Sequence, residues 1–387
     1  MAKVTTQLFG QLAIVPRQVE TPVRETLEFL TDLMEAYNGN EQRLQLRTKA
    51  RQTYAYTMPL QAWHMAGAFN TEYGAIRKRW AVPIWTEAQY VGTVLSNAPA
   101  IVCDTTNYDL RDESLAMLYA GCDKWQVVEI ASVEPGQINL LSNVNGFVGA
   151  WLVPVRLGWI AGTVEKPTNG HNGKSTLTFE IDDTIALTPD VPPQYLGNDI
   201  YYEAGLLSGD TISRTVEKRL DKNDFDLGLV ERRTPWANTR FGTPYRRQIV
   251  GASEMREFKK WLYRRAGKFR PFWLPSFEVN MRPLNTGTIT TTLLINADSY
   301  IDYAAVRTNI AIQTTAGAWL LRTVSNPVQI DASRIQLTLS SALNINVANI
   351  ARICYLGLHR FDADRIEINW IGNNVAESEV RILELNP

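Results

Sequence analysis

Apolar and polar residues recur with two successive periods along residues 252–277. In the first part the apolar positions fall at helical spacing and share one face: Met255, Phe258, Trp261 and Leu262. Ser253 is the predicted N-cap of this helix, and Gly267 is its predicted end. An aromatic strand is predicted to follow over residues 269–277.

A weaker version of the same pattern occupies residues 59–85. Pro59 suits the first turn of a helix and Gly74 suits its end. The apolar positions between them again share one face: Leu60, Trp63, Ala66, Phe69 and Tyr73. Both segments close with a strand that has an aromatic residue at each end and a proline between them, which aligns Pro83 with Pro275.

The order of predicted strands downstream of each helix also repeats. The matching segments are 125–130 with 319–324, 137–141 with 334–339, 151–157 with 352–358, and 175–181 with 378–384. Self-similarity in a constant order predicts an internal duplication. Each pair taken alone leaves open the alternative that unrelated β-strands share an alternating pattern.

Short strands separated by turn residues predict a mainly β (α+β) fold, with two tandem copies that each carry one helix and one inserted small β-barrel or sandwich module. The expected units are an N-terminal arm (1–25), copy one (26–85 and 156–187), its inserted module (86–155), a connector (188–210), copy two (211–285 and 357–387) and its inserted module (286–356). Residues 21–37 fit both a helix and an alternating strand, and we favour an extended segment over 28–36.

Composition narrows the function classes. The apolar fraction is 45% and the net charge is −1, which suits a globular protein and excludes a surface built throughout for nucleic acid or anionic membrane. No apolar run of signal-peptide or membrane-spanning length is present, so no membrane anchor is expected. Three scattered cysteines and three distant histidines predict neither disulfides nor a metal site, and no cofactor is expected.

Candidate catalytic groups are few. Residues 170–176 resemble the end of a phosphate-binding loop, but the first glycine of that motif is replaced by Thr168 and a strand follows instead of a helix, so a hairpin turn is favoured. Two acidic groups have the residue type for acid–base chemistry: Asp182 with Asp183, and Asp221 with Asp224 and Asp226. Solvated turns explain them better, and the chain is not expected to be an enzyme.

A basic run interleaved with aromatic residues spans residues 259–270. This pattern is compatible with nucleic-acid contact. It is equally the polar face of the predicted helix, whose apolar face accounts for the aromatic side chains. We favour the second interpretation, a solvated or subunit-contacting face.

The two copies share one order of elements: a strand, a turn with a Glu-to-Arg step, a second strand, an amphipathic helix, a basic turn that contains glycine, and an aromatic strand. The segments are 31–32, 38–43, 51–57, the first helix and 80–85 in copy one, and 224–229, 231–233, 245–250, the second helix, 264–267 and 269–277 in copy two. This order resembles the tail-tube-type fold of distal tail and baseplate hub proteins of long-tailed bacteriophages. The resemblance implies that each copy is a tail-tube-like β-sandwich with one flanking helix. Copy two departs from it, because it lacks the Asn-Gly turn and carries extra residues over 234–244.

The resemblance implies a virion protein of the tail tip, assembled in the host cytoplasm as a ring around a central channel. The ring would join the tail tube protein to tip or fibre proteins, with the tape measure protein and other baseplate proteins as neighbours and with DNA only passing through. A homo-trimer with pseudo-sixfold symmetry is favoured, and a hexamer is the alternative. The implied helices buttressing the ring are 59–73 and 253–266, and the implied subunit contacts are Lys260, Arg264, Arg265, Lys268, Arg270, Arg77, Lys78 and Arg79.

Two rival functions remain open on sequence. Eleven tryptophans and the two inserted β-modules are compatible with a carbohydrate-binding or cell-wall-binding protein. A glycan-processing enzyme is the weaker rival, since the sequence shows no convergent pair of acidic groups.

Overall fold

The computed structural model describes residues 2–162, 164, 167, 172–184, 187–205, 211, 214–236, 239–298 and 300–385. It is mainly β, with 54% strand, 9% helix and large antiparallel sheets. The mainly β class predicted from the sequence is therefore confirmed.

The first half of the chain runs from an N-terminal hairpin to a long hairpin near residue 160. Its elements are β1 (Ala2–Thr6), β2 (Gly10–Ile14), β3 (Glu20–Glu28), β4 (Thr31–Glu35), β5 (Glu41–Gln45), β6 (Arg51–Gln61), α1 (Ala62–Ala75), β7 (Trp80–Pro83), a 3₁₀ turn (Trp85–Glu87), β8 (Gln89–Val94), β9 (Ala100–Val102), β10 (Leu115–Gly121), β11 (Lys124–Glu134), β12 (Gln137–Leu140), β13 (Phe147–Ile160) and β14 (Asn172–Ile181).

The second half follows a similar order. Its elements are β15 (Gln194–Tyr195), β16 (Asn198–Ile200), β17 (Thr215–Glu217), β18 (Asp221–Asn223), β19 (Glu231–Arg233), β20 (Arg240–Val250), α2 (Ala252–Arg265), β21 (Phe272–Pro275), β22 (Thr288–Ile289), β23 (Thr292–Asn296), α3 (Tyr300–Tyr303), β24 (Asn309–Thr314), β25 (Trp319–Gln329), β26 (Arg334–Leu339), β27 (Ile345–Asn346), a 3₁₀ turn (Val347–Asn349), β28 (Ile350–Phe361), β29 (Arg365–Gly372) and β30 (Val375–Leu385).

The strand that follows each long helix has one parallel and one antiparallel neighbour. Trp80 of β7 pairs with Ala13 of β2 in parallel and with Gly158 of β13 in the antiparallel sense. Phe272 of β21 pairs in parallel with Asp199 of β16. On its other side it pairs with β28 in the antiparallel sense. The strand before each helix also pairs antiparallel with the last strand of its half, β6 with β14 and β20 with β30.

The two halves meet edge to edge. Strand β3 pairs with β6 of the first half on one side and with β29 of the second half on the other. One hydrophobic core extends across this junction, and it includes Leu27, Trp80, Phe258 and Ile368. The join therefore combines backbone hydrogen bonds with a shared apolar interior.

The N-terminal segment folds back onto its own chain. Strands β1 and β2 form an antiparallel hairpin, and β2 extends the sheet next to β7. Leu12 and Ile14 are buried against Met117 and Val153. The next segment is extended, as favoured from the alternating pattern, because β3 and β4 cover most of residues 20–35.

The first predicted helix is correct in position but not in its ends. Pro59 and Leu60 belong to β6, because this strand continues to pair with β14 as far as Gln61. Helix α1 then begins at Ala62 and continues through Gly74 to Ala75. The predicted start at Pro59 and stop at Gly74 are therefore wrong.

Helix α2 confirms the predicted apolar face, since its buried residues include all four apolar positions named above. Its N-cap is Gly251 without a side-chain hydrogen bond, so the assignment of Ser253 as N-cap is wrong. The helix ends at a left-handed Ala266, and Gly267 follows with φ of +67°. A Cβ at Gly267 would approach Asp364 Oδ1 to within 2.3 Å, so this turn requires glycine.

The strand predicted over residues 224–229 is also wrong. Strand β18 ends at Asn223, and the following residues form the turn of a short hairpin closed by β19. Residue Asp226 has a positive φ of 55°, which suits a turn and not an extended strand.

Each half carries an additional β-rich unit with its own core. The first core includes Ile101, Val128, Ile138 and Phe147. The second has a separate cluster that includes Ile289, Leu293, Ile310, Leu337 and Ile353. Strands β13 and β28 connect these units to the main sheets, because the N-terminal part of each strand pairs within the unit and the C-terminal part pairs with β7 or β21.

Truncating the apolar face of α2 tests the shared core. Leu262 is 0% exposed, so Leu262→Ala leaves a cavity and is expected to lower the free energy of unfolding by about 2–5 kcal/mol. Denaturant unfolding followed by tryptophan fluorescence measures this change. Leu95→Ala is the matched control, because Leu95 is 74% exposed, and equal effects of the two substitutions would contradict the assignment of the core.

Candidate interaction surfaces and buried ion clusters

The basic run on α2 does not form a solvated face throughout. Lys259 and Arg265 are buried, with exposed fractions of 6% and 0%. The prediction of a solvated or subunit-contacting face is wrong for these two residues, including Arg265 as a candidate subunit contact, because both are buried against carboxylates distant in sequence.

Lys259 connects helix α2, in the second half of the chain, to two segments of the first half. Its Nζ lies 3.1 Å from Glu25 Oε1 on β3 and 3.0 Å from Glu87 Oε1 in the first 3₁₀ turn. Burial alone would lower the pKa of Lys259, but the charges of Glu25 and Glu87 outweigh it and raise that pKa. The Nε1 of Trp370 donates to Glu25 as well, at 2.9 Å.

Asp199 anchors the C-terminal end of the same helix. Arg264 donates to it through Nε and Nη2 at 2.6 and 2.7 Å, and Arg265 Nη2 contacts Asp199 Oδ2. Arg265 also donates to the carbonyl oxygen of Pro271 at 2.6 Å. Because Asp199 lies on β16, this cluster fixes the parallel strand, the helix and β21 to one another.

A third cluster joins the β4–β5 hairpin to the second half. Glu41 accepts from Arg360 at 2.8 and 2.9 Å and from Arg240 Nη1 at 3.1 Å. The side chains of Glu41 and Arg240 are each 4% exposed, and that of Arg360 is 3% exposed. Burial would raise the pKa of Glu41, but the hydrogen bonds and charge of Arg360 outweigh it and lower that pKa.

The other residues expected at subunit contacts lie nearer the surface. Lys260 pairs with Glu257 at 2.8 Å, Lys268 is half-buried and Arg270 is exposed. The turn after α1 exposes Arg77, Lys78 and Arg79, of which Arg79 pairs with Asp182 at 3.0 Å. Their role as subunit contacts stays a prediction.

An apolar tip was missed by the sequence interpretation. Between β18 and β19, Phe225, Leu227 and Leu229 are 77%, 92% and 103% exposed. Large side chains with this exposure commonly mark contact surfaces. The sequence shows acidic or glycine residues alternating with these apolar residues, a pattern that predicts a strand over 224–229 and leaves the aspartates as solvated groups.

The candidate catalytic carboxylates are engaged by basic or aromatic groups. Asp182 accepts from Arg79 and from Trp159 Nε1, and Asp183 lies 3.5 Å from Arg111. Asp221 accepts from Tyr37, and Asp224 pairs with Lys222 at 3.0 Å. Asp182, Asp221 and Asp224 are therefore engaged near the surface, whereas Asp183 is half-buried and its Oδ1 has no hydrogen-bond partner among the described residues.

The three histidines are not brought together by the described residues. His359 is half-buried, and desolvation lowers its pKa. His171 and the flanking Thr168 and Gly170 lie outside the described residues, and the side chain of His64 is not described. Within the described part of the chain no group of three or more His, Cys, Asp or Glu has an arrangement that could hold a metal ion.

None of the helices among the described residues combines the length and the apolar character that a membrane span requires.

Comparison with known proteins leaves the family open. Neither the models of known protein families nor the curated proteins include a match to this chain.

The Glu41 cluster predicts acid sensitivity. The pKa of Glu41 is lower in the folded chain than in the unfolded chain. The ionised carboxylate therefore stabilises the fold at pH values above the unfolded pKa, and this contribution is lost as the pH falls through the folded pKa. Glu41→Gln leaves two buried guanidinium groups incompletely paired and is expected to cost about 3 kcal/mol at pH 7.

Denaturant unfolding between pH 7 and pH 3 measures the effect. The difference in stability between wild type and Glu41→Gln should narrow as the pH decreases. Glu379→Gln is the control, because Glu379 pairs with Arg246 at the surface, where its side chain is 54% exposed. A difference for Glu41→Gln that stays constant over the whole pH range would contradict the assignment.

Proposed function

We propose that this protein is a structural component of a bacteriophage tail tip or baseplate, where it forms a ring that joins the tail tube to tip or fibre proteins around a central channel. The observation that carries the proposal is the edge-to-edge pairing of β3 with β29. The proposed role is mechanical, because it depends on the pairing of sheet edges between neighbouring copies.

The matching order of elements in the two halves supports an origin by duplication and a tail-tube-like fold in each copy. In both halves a strand, a hairpin, a strand, a long helix and a further strand follow in the same order. The hairpins β4–β5 and β18–β19 occupy equivalent places. After each helix comes a strand with the same pair of neighbours, one parallel and one antiparallel.

The join between the halves supplies a template for the ring. Pairing runs from Glu28 with Arg365 to Val23 with Trp370, so one half already adds its sheet edge to the other. In the second half, β20 is the only described strand that β17 pairs with, so the other edge of β17 is open. An edge of this kind is a ready partner for another chain, and heterologous contacts that close produce rings.

Three such chains would place six similar copies around the channel. This arrangement would let a sixfold tube meet a threefold tip, which is why we favour a trimer over a hexamer. The exposed basic turn after α1 and the apolar tip between β18 and β19 are further surfaces that a neighbouring subunit or ring would cover.

The oligomeric state tests the proposal. Light scattering of the purified chain should give the mass of a trimer, and negative-stain averages should show a ring with a central hole. The double charge reversal Arg77→Glu with Lys78→Glu should prevent assembly while far-UV circular dichroism stays unchanged, because both residues are exposed.

The matched control is Lys49→Glu with Lys124→Glu, which reverses two exposed charges outside the expected contacts. This variant should still assemble. A wild-type chain that stays monomeric both alone and with a tail tube protein would refute the proposed ring.

A further inference from the structure

The hairpin β4–β5 of the first half is docked onto the second half of the same chain. At its base, the buried carboxylate of Glu41 lies between the guanidinium groups of Arg240 and Arg360. At its tip, the hydroxyl of Tyr37 donates to Asp221 on β18. The structure therefore contains one complete contact between a hairpin and the neighbouring half.

The second half carries a matching hairpin, β18–β19, whose corresponding groups are exposed. Glu41 is the first residue of β5, and Glu231 is the first residue of β19. Tyr37 follows the end of β4 by two residues, and Phe225 follows the end of β18 by the same number. Glu231 is exposed and has no ion-pair partner among the described residues, and Phe225 is 77% exposed.

The first half carries a matching receiving surface. Arg51 and Arg240 each begin an 11-residue strand that leads to a 14-residue helix. Arg240 is 4% exposed and paired with Glu41, whereas Arg51 is exposed and lacks an ion-pair partner in the described part of the chain. The strand register places Trp159 where the second half has Arg360, so this surface offers one arginine instead of two.

Apolar groups are exposed on both of these surfaces. In the docked hairpin, Gly39 packs so closely on Trp236 that an added Cβ would lie 3.2 Å from that side chain. Trp236 precedes β20 by four residues, and Leu46, which precedes β6 by five, is 55% exposed. The tip of β18–β19 presents Leu227 and Leu229, which are 92% and 103% exposed. Contact between the two surfaces would remove apolar area of both from water.

We infer that the β18–β19 hairpin of one chain docks onto the first half of a second copy, where Arg51 binds Glu231. The exposed tip, Phe225 with Leu227 and Leu229, covers the apolar surface next to β6. The contact repeats between chains the docking of β4–β5 within the chain. Because the two surfaces differ, it is heterologous and can close into a ring. This inference rests on the proposed ring and names residues that hold its subunits together.

Exchanging the two charges in the full-length chain tests this contact. Glu231→Arg and Arg51→Glu each bring like charges together, and each should weaken association by about tenfold or more. The double variant, Glu231→Arg with Arg51→Glu, restores opposite charges and should regain most of the association. Sedimentation velocity over a range of concentrations measures this, and far-UV circular dichroism should stay unchanged because both residues are exposed.

The matched control is Lys124→Glu with Glu134→Arg, which reverses two exposed charges on the first additional β-unit. This variant should associate like wild type. Rescue by the double variant of the contact pair, without an effect of the control, would separate a direct pair from a general effect of charge.

The apolar tip gives a second, independent measurement. Phe225→Ser with Leu229→Ser should weaken association without loss of fold, because both side chains are exposed. Leu95→Ser with Val102→Ser is its control, since these residues are 74% and 78% exposed but lie on the first additional β-unit. This control should assemble like wild type.

The outcomes distinguish the contact from the ring. If wild type forms the ring and both single charge reversals form it equally well, the contact is wrong and the ring proposal stands. A double variant that stays as weak as the single variants would also overturn the contact. A wild-type chain that stays monomeric both alone and with a tail tube protein would overturn the contact and the ring together.

Discussion

The pairing of β3 with β29 is the contact on which the rest of this structure depends. It joins residues near the start of the chain to residues near its end, and it brings the two halves onto one hydrophobic core. Glu25, in the middle of β3, is 0% exposed and is bound by Lys259 of α2 and Trp370 of β29. Backbone pairing, apolar burial and a buried ion cluster therefore depend on the same short strand.

Local patterns identified much of this architecture. The apolar face of α2, the turn at Gly267 and the short strands of the first additional β-unit follow from periodicity and turn residues, because neighbouring positions determine them. The ends of α1 did not follow, since the pairing of β6 with β14 extends the strand through Pro59. Pairing with β14, a strand more than a hundred residues away, overrode the local preference for a helix at this position.

The interaction sites were less accessible to sequence interpretation, for a related reason. Lys259 and Arg265 have the spacing of a polar helix face, and only their long-range partners Glu25 and Asp199 show that they point inward. Likewise, the ion cluster around Glu41 draws Glu41, Arg240 and Arg360 from separate segments. No local pattern shows that such residues meet.

The two long strands β13 and β28 have a mechanical consequence. Each belongs to an additional β-unit at its N-terminal end and to a main sheet at its C-terminal end, without an intervening linker. A pull on either unit along its strand loads the ladder in shear, so that many hydrogen bonds resist at once instead of opening one after another. Tension applied to a unit along its strand is therefore expected to load the main sheet directly, because the same strand continues into that sheet.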